Sequence, residues 1–179
     1  MQMTRVKGFT LIELMTTLAV VSILLSIAVP NFQEFRRNST QTSGINELLS
    51  GMRIARNTAI TTNSRVTVCA SSNGSACEAV SWDSGWIAFV DLDADRTLDL
   101  DETIFRSGAG AAGLTIASTE FANNFVFRPN GRVMGATVAQ NNGQFTVCDA
   151  RGADHAKALV LDLSGRPRVA YSGVTLSCS

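Results

Sequence analysis

The pattern in this chain that could do the most chemistry is Ser164-Gly165-Arg166-Pro167-Arg168. Two guanidinium groups stand two residues apart, and in extended backbone such positions point to the same side. The proline between them removes backbone freedom and an N–H, and the glycine in front lets a phosphate approach closely. Arg128 and Arg132 flank a second turn, Pro129-Asn130-Gly131, and Arg151 and Lys157 border a third. If these loops gather on one face, they form a patch for nucleic-acid phosphates, which positions a strand without reading its sequence. The alternative is that each arginine is a solvated loop residue or a contact to another subunit.

A second constellation is acidic. Asp91, Asp93 and Asp95 followed by Glu102 match the calcium-loop spacing D-x-D-x-D with a glutamate at position twelve. Arg96 stands where that pattern needs glycine, and no helix pair surrounds it, so the residues favour a solvated acidic hairpin loop over calcium. Gly108-Ala109-Gly110-Ala111-Ala112-Gly113 is formally G-x-G-x-x-G, but it precedes the strand-like LTIAS instead of a helix and reads as a flexible loop. With His155 the single histidine, a multi-histidine metal site is excluded and a histidine-based triad disfavoured. No nucleophile elbow or metal-ligand cluster appears, so no catalytic site and no cofactor are expected.

Charge totals conceal this polarity. Fifteen Lys+Arg balance fifteen Asp+Glu, which excludes a chain that is basic throughout. Yet residues 78–102 carry eight acids against Arg96, a net of −7, and residues 103–179 carry seven bases against four acids, a net of +3. Charged residues make up only 17% of the 179, below the ~25% usual for soluble domains, so part of the chain is expected to lie out of water.

That part is residues 14–33, twenty uncharged positions between Glu13 and Glu34. As a helix rising ~1.5 Å per residue they span roughly 30 Å, the thickness of a bilayer core. A secretory signal peptide would end at a small-residue cleavage site, whereas this run ends at Pro30 and continues into Phe32 and Phe35. Arg5 and Lys7 precede it with no acid, which places the N-terminus in the cytoplasm. Then comes Gly8-Phe9-Thr10-Leu11-Ile12-Glu13. A carboxylate at the mouth of a membrane helix is costly unless paired. Cleavage after Gly8 would create an ammonium on Phe9, four residues before Glu13 and on the same helix face.

Past Pro30 the helical period persists: Ile45, Leu48, Leu49, Met52, Ala55 and Ala59 form one apolar face that should pack on a sheet. The helix is expected from Phe9 to about Thr62, interrupted at Pro30 or across the small polar residues 38–44. Beyond Asn63 the period becomes two. RVTVCA from Arg65, GWIAFV from Gly85, NFVFRP from Asn124, QFTVC from Gln144, KALVLDL from Lys157 and RVAY from Arg168 predict a mostly antiparallel sheet. Four cysteines on a domain outside the cytoplasm predict disulfides. Cys69 with Cys77 would close a short loop around Asn73-Gly74, and Cys148 with Cys178 would pin the last strand. A zinc site is disfavoured, because the spacings lack a Cys-x-x-Cys pair.

The basic leader, the complete G-F-T-L-I-E at Gly8 to Glu13 and the apolar stretch resemble the type IV pilin superfamily closely. The head resembles its GspH/FimT group, through Val66-Thr67-Val68-Cys69, Trp82, Gly85-Trp86-Ile87-Ala88-Phe89-Val90-Asp91, Phe127 with Asn130-Gly131, and Gly165-Arg166. The resemblance implies an α+β pilin fold, a long helix packed on a β-rich head. Its parts would be a leader (1–8), a membrane and filament-core helix (9–33), an amphipathic helix (34–62) and a periplasmic head (63–179). It implies that a prepilin peptidase cuts between Gly8 and Phe9 and methylates the Phe9 amine, and that Glu13 neutralises that amine on a neighbouring subunit. Partners would be major and minor pilins and the inner-membrane assembly platform. The chain would sit in the inner membrane before assembly and in the extracellular pilus afterwards. Gly165-Arg166-Pro167-Arg168 looks like the Gly-Arg-x-Arg motif of FimT-type minor pilins, which bind DNA for natural transformation. Gly165, Arg166 and Arg168 would carry that role near the pilus tip, with Arg128, Arg132, Arg151 and Lys157 as accessories. The alternatives are a FimU-type minor pilin that primes assembly without a ligand, and the pseudopilin H of type II secretion.

Overall fold

The computed structural model describes residues 8–137, 140–170 and 176–178. Arg5, Lys7 and Tyr171 therefore lie outside the described residues. The chain divides into two compact units, Met1–Ser39 and Thr40–Ser179.

In the first unit Gly8, Phe9 and Thr10 are exposed and precede helix α1, Leu11–Thr62. Thr10 starts the helix: its hydroxyl accepts the Glu13 N–H at 3.3 Å and its carbonyl accepts the Leu14 N–H at 3.2 Å. Helix starts leave such donors open, and threonine at this position closes one. Within the apolar run, Thr16, Thr17, Ser22 and Ser26 return their hydroxyls to carbonyls three residues back. The segment is long and apolar enough to cross a bilayer, with a mean hydropathy of 2.2 and no residue buried. Side chains such as Leu14, Leu18, Ile23, Leu24 and Phe32 stand exposed all around it, a surface that lipid or another helix must cover.

The expected interruption does not occur, since Pro30 and residues 38–44 lie inside α1. Gln41 supplies part of the reason. Its buried side-chain amide donates to the carbonyls of Val147 at 3.1 Å and His155 at 2.9 Å, 106 and 114 residues away. Tertiary hydrogen bonds thus outweigh weak local propensity.

In the second unit Ile45, Leu48, Leu49, Met52, Ala55 and Ala59 are buried, as the spacing predicts. Gly51 completes that face: the Trp86 indole fills the space that a side chain at Gly51 would need, and Gly108 leaves room for the same ring. The strands are β1 (Arg65–Ala70), β2 (Gly85–Asp91), β3 (Ile104–Ala109), β4 (Thr115–Ala117), β5 (Asn124–Phe127), β6 (Val133–Met134), β7 (Gly143–Cys148), β8 (Lys157–Leu161) and β9 (Pro167–Ala170). Six fall on the expected runs. β4 falls on the strand-like LTIAS, while β3 and β6 carry no clear alternation, being rich in small residues or short.

Among the described residues all pairings are antiparallel, but the single sheet expected is two: β3-β2-β1-β5-β6 and β4-β7-β8-β9. An aromatic cluster joins them. Phe145 of β7 meets Trp82 edge-on at 5.1 Å, Phe121 at 5.6 Å and Phe125 of β5 at 5.8 Å. The Trp82 N–H donates to the carbonyls of Phe121 and Ala122 at 2.9 and 3.1 Å, so the large ring leaves no polar atom unpaired. On the other face of the first sheet, Cys69, Ile87 and Phe89 pack with Cys77, Leu98 and Ile104. β1 is therefore buried on both sides, which simple alternation did not anticipate.

Both expected disulfides are present, Cys69–Cys77 with Cα atoms 5.5 Å apart and Cys148–Cys178 with 5.9 Å. All buried side chains among the described residues, and both cross-links, lie within residues 41–178. The head separated from the apolar segment therefore keeps its whole core.

Candidate functional site

The structure brings together three elements of the head around an arginine cluster. β8 and β9 form a hairpin whose register pairs Leu161 with Pro167 and Val160 with Arg168. Its turn is held by Asp162, whose Oδ1 accepts the N–H of Ser164 at 3.0 Å and its hydroxyl at 2.5 Å, and the N–H of Arg166 at 3.4 Å. The Ser164 hydroxyl beside it, ahead of the other contacts, holds the Asp162 carboxyl below its usual range; burial opposes this and the Arg168 charge assists. Arg166 is exposed, Pro167 buried and Arg168 exposed, the arrangement that places both guanidinium groups on one side.

Gly165 has a packing role in the head. It is buried with φ +71°, and the carbonyl of Gly131 occupies the space its side chain would need. The absent side chain therefore lets the β8–β9 turn close onto the β5–β6 turn. That second turn runs from Arg128 to Arg132, with Gly131 donating to the Arg128 carbonyl at 2.8 Å and Arg128 to the Arg132 carbonyl at 2.9 Å. Arg56 of α1 fastens both turns to the helix, its Nε donating to the Gly131 carbonyl at 3.1 Å.

A cleft of about 390 Å³ opens here, lined by Arg53, Arg56, Asn57, Arg166 and Pro167. No carboxylate lines it among the described residues. The side chains of Arg53 and Arg166 make no hydrogen bond or ion pair among the described residues. Sequence reasoning missed Arg53 and Arg56 because both sit off the apolar face of an amphipathic helix, where a solvated arginine is the ordinary expectation. Gly131 and Gly165 were the available signal, two turn glycines that allow backbones to touch.

The weaker basic residues divide. Arg132 is exposed on the β5–β6 turn, and half-buried Arg128 lies against the Met134 sulfur at 2.9 Å. Arg151 is committed elsewhere, since its guanidinium donates to both oxygens of Asp149, the shortest contact at 2.5 Å. Lys157 donates to the Thr42 hydroxyl at 3.1 Å, at the end of β8 away from the β8–β9 turn. At ~3.3 Å per residue, the four residue steps of strand from Lys157 to Leu161 separate it from that turn by ~13 Å. Arg151 and Lys157 therefore fall outside the cluster.

Asp149 is nearly buried, and hydrogen bonds from Arg151 hold its carboxyl below the usual range against the opposing effect of burial. A depressed carboxyl contributes stability above its unfolded value, and loses it as pH falls through the folded one. Arg151→Gln should therefore destabilise the head most at neutral pH, with the deficit shrinking below about pH 4. Thermal midpoints of both proteins across pH check this; a deficit that grows on acidification would contradict it.

The acidic loop between β2 and β3 brings Asp91, Asp93 and Asp95 together, with carboxylate oxygens within 4.8 Å of one another. Glu102, the fourth expected member, instead accepts the N–H groups of Leu92 at 2.7 Å and Asp99 at 3.2 Å. Near the start of the chain, Gly8 and Phe9 lie in exposed, non-helical backbone, and Glu13 stands in the first turn of α1.

These features agree with comparisons to known proteins. The family described as "Type II transport protein GspH" matches residues 44–165, and the prokaryotic N-terminal methylation motif matches residues 3–29. The type IV major fimbrial protein FimA of Dichelobacter nodosus is 33% identical over 110 residues, 62% of this chain and 60% of that protein. A fimbrial protein of Pseudomonas aeruginosa is 41% identical over 54 residues, 30% of this chain and 34% of that protein. The chain thus spans less than two thirds of the length of these relatives. The structure of the type IV minor pilin FimU of Pseudomonas aeruginosa superposes with a TM-score of 0.59 at 19% identity, covering 76% of this chain and 92% of that one, a likeness of fold. The GspH match covers most of the head and the methylation motif covers its apolar helix: the chain belongs to the GspH/FimT group of the type IV pilin superfamily.

Proposed function

We propose that this chain is a minor pilin incorporated near the tip of a type IV pilus, and that its head binds DNA without sequence preference for uptake in natural transformation. The observation that carries the reading is the cleft in which Arg53, Arg56 and Arg166 converge with no carboxylate among its lining residues. Such a cluster suits a polyanion, because its mutual repulsion is relieved when phosphates enter. Arg168 extends the basic track along β9, and Arg132 borders it on the neighbouring turn. In this reading a prepilin peptidase cuts after Gly8, the chain waits in the inner membrane with its head in the periplasm, and Glu13 pairs with the methylated Phe9 amine of an adjacent pilin.

The test is a gel shift with the head, residues 40–179, on short duplex DNA. Retardation should be independent of sequence, with a Kd on the order of 10⁻⁶ to 10⁻⁴ M at physiological salt. Arg166→Gln together with Arg168→Gln should abolish it, and retained binding in that double variant would remove the site. A second reading, a structural minor pilin that primes assembly without a ligand, draws on the fold shared with FimU. It predicts no retardation by the intact head.

A further inference from the structure

The loop between β2 and β3 carries a second charged feature, of opposite sign. Asp91 closes β2 and is 1% exposed. Its Oδ2 accepts the Thr67 hydroxyl at 2.5 Å, but its Oδ1 is buried without a hydrogen-bond partner. A buried carboxylate oxygen left unpaired is costly, and nearby cations do not relieve it. Arg65, opposite Asp91 in the β1–β2 register, stays exposed and forms no ion pair with it. Arg96 turns to β5, donating to the Asn124 side chain at 3.3 Å.

Asp93 and Asp95 each bring a carboxylate oxygen within 4.8 Å of the Asp91 carboxylate. Asp93 Oδ1 accepts the Asp95 N–H at 3.2 Å and Asp95 Oδ1 accepts the Thr97 N–H at 2.6 Å, so each keeps a second oxygen uncommitted. Three carboxylate oxygens within 4.8 Å of one another match the spread around one ion, because ligands ~2.3–2.6 Å from calcium lie at most ~5 Å apart. The donors are all oxygen, which suits a hard cation and disfavours metals that seek nitrogen or sulfur. Glu102 clips the loop through two backbone N–H groups, leaving the rest of the coordination sphere to backbone carbonyls and water.

We propose that Asp91, Asp93 and Asp95 bind a calcium ion. The ion satisfies the buried Asp91 Oδ1 and cancels repulsion among three like charges. The same loop carries Leu98, which packs on Cys69, Ile87 and Phe89 over the outer face of the five-stranded sheet. Calcium therefore ties a charged loop down over an apolar cluster and stabilises the head.

Calorimetric titration of the full chain in detergent with calcium chloride tests this. One saturable site is expected, with a Kd of about 10⁻³ M or tighter, the range of extracellular calcium modules. The thermal midpoint should rise with calcium concentration. Asp91→Asn should weaken binding, but it alters a buried group. The decisive variant is Asp93→Asn with Asp95→Asn, both exposed, which should fold normally and bind at least ~10-fold more weakly. No saturable heat up to about 10 mM calcium, undiminished binding by that variant, or equal affinity for magnesium would overturn the assignment.

Discussion

Phe145→Ala should cost the head ~3–5 kcal/mol, enough to consume much of the ~5–15 kcal/mol that a domain has in total. Phe145 is fully buried on β7 and touches Trp82 and Phe121 as well as Phe125 on the other sheet. Truncation opens a cavity at the seam between the sheets. Its walls cannot collapse readily, because Trp82 is fixed by two hydrogen bonds to backbone carbonyls. Phe125→Ala should cost a similar amount, and the two losses should be non-additive, since each change removes the other's partner. Leu163→Ala on the β8–β9 turn, 43% exposed, is the control and should stay within ~0.5 kcal/mol. Denaturant unfolding of the oxidised head measures all of these. A loss below ~1 kcal/mol for Phe145→Ala would mean that the aromatic cluster does not hold the sheets together.

The contrast between this cluster and the N-terminus explains what could be read from the chain alone. Gly8 to Glu13 and the apolar run are local signals, legible because processing and membrane insertion act on contiguous sequence. β1, β2, β5, β7, β8 and β9 were legible through alternation, and the cysteine pairs through spacing and compartment. The helix across residues 38–44 was not, because Gln41 is held there by carbonyls from β7 and from His155. The division into two sheets was hidden for a similar reason. It depends on which strands pair across long connections, and β3 and β6 are too short or too rich in small residues to announce themselves.

The basic site was half legible. Arg166 and Arg168 belong to one short motif and their shared side follows from strand geometry. Arg53 and Arg56 reach the same place only because Gly165 packs against Gly131, and Arg56 binds the Gly131 carbonyl. The same packing gives Gly165 a part in closing the two turns on each other. The sequence also could not distinguish Arg151, bound to Asp149, from the arginines that remain available.

Arg53→Gln should weaken DNA binding and lower its salt dependence, although Arg53 stands over a hundred residues from the Gly-Arg-x-Arg motif. Each phosphate contact adds ~0.9 to the slope of log K against log salt, so one contact is worth about 8-fold at ~0.1 M salt relative to 1 M. Four arginines, Arg53, Arg56, Arg166 and Arg168, all engaged on duplex DNA, give a slope near −3.6. Arg53→Gln should reduce it by ~0.9, and Arg166→Gln with Arg168→Gln by ~1.8 with a loss of about 60-fold, below detection in a gel. Arg53 is the informative position, because it is exposed and its side chain makes no hydrogen bond among the described residues, so its replacement should leave the thermal midpoint unchanged. Arg56 is not, because losing its bond to Gly131 would loosen both turns. Fluorescence anisotropy at several salt concentrations separates the cases. A slope unchanged by Arg53→Gln confines the site to the hairpin, and a slope reduced by both changes makes the helix one wall of it.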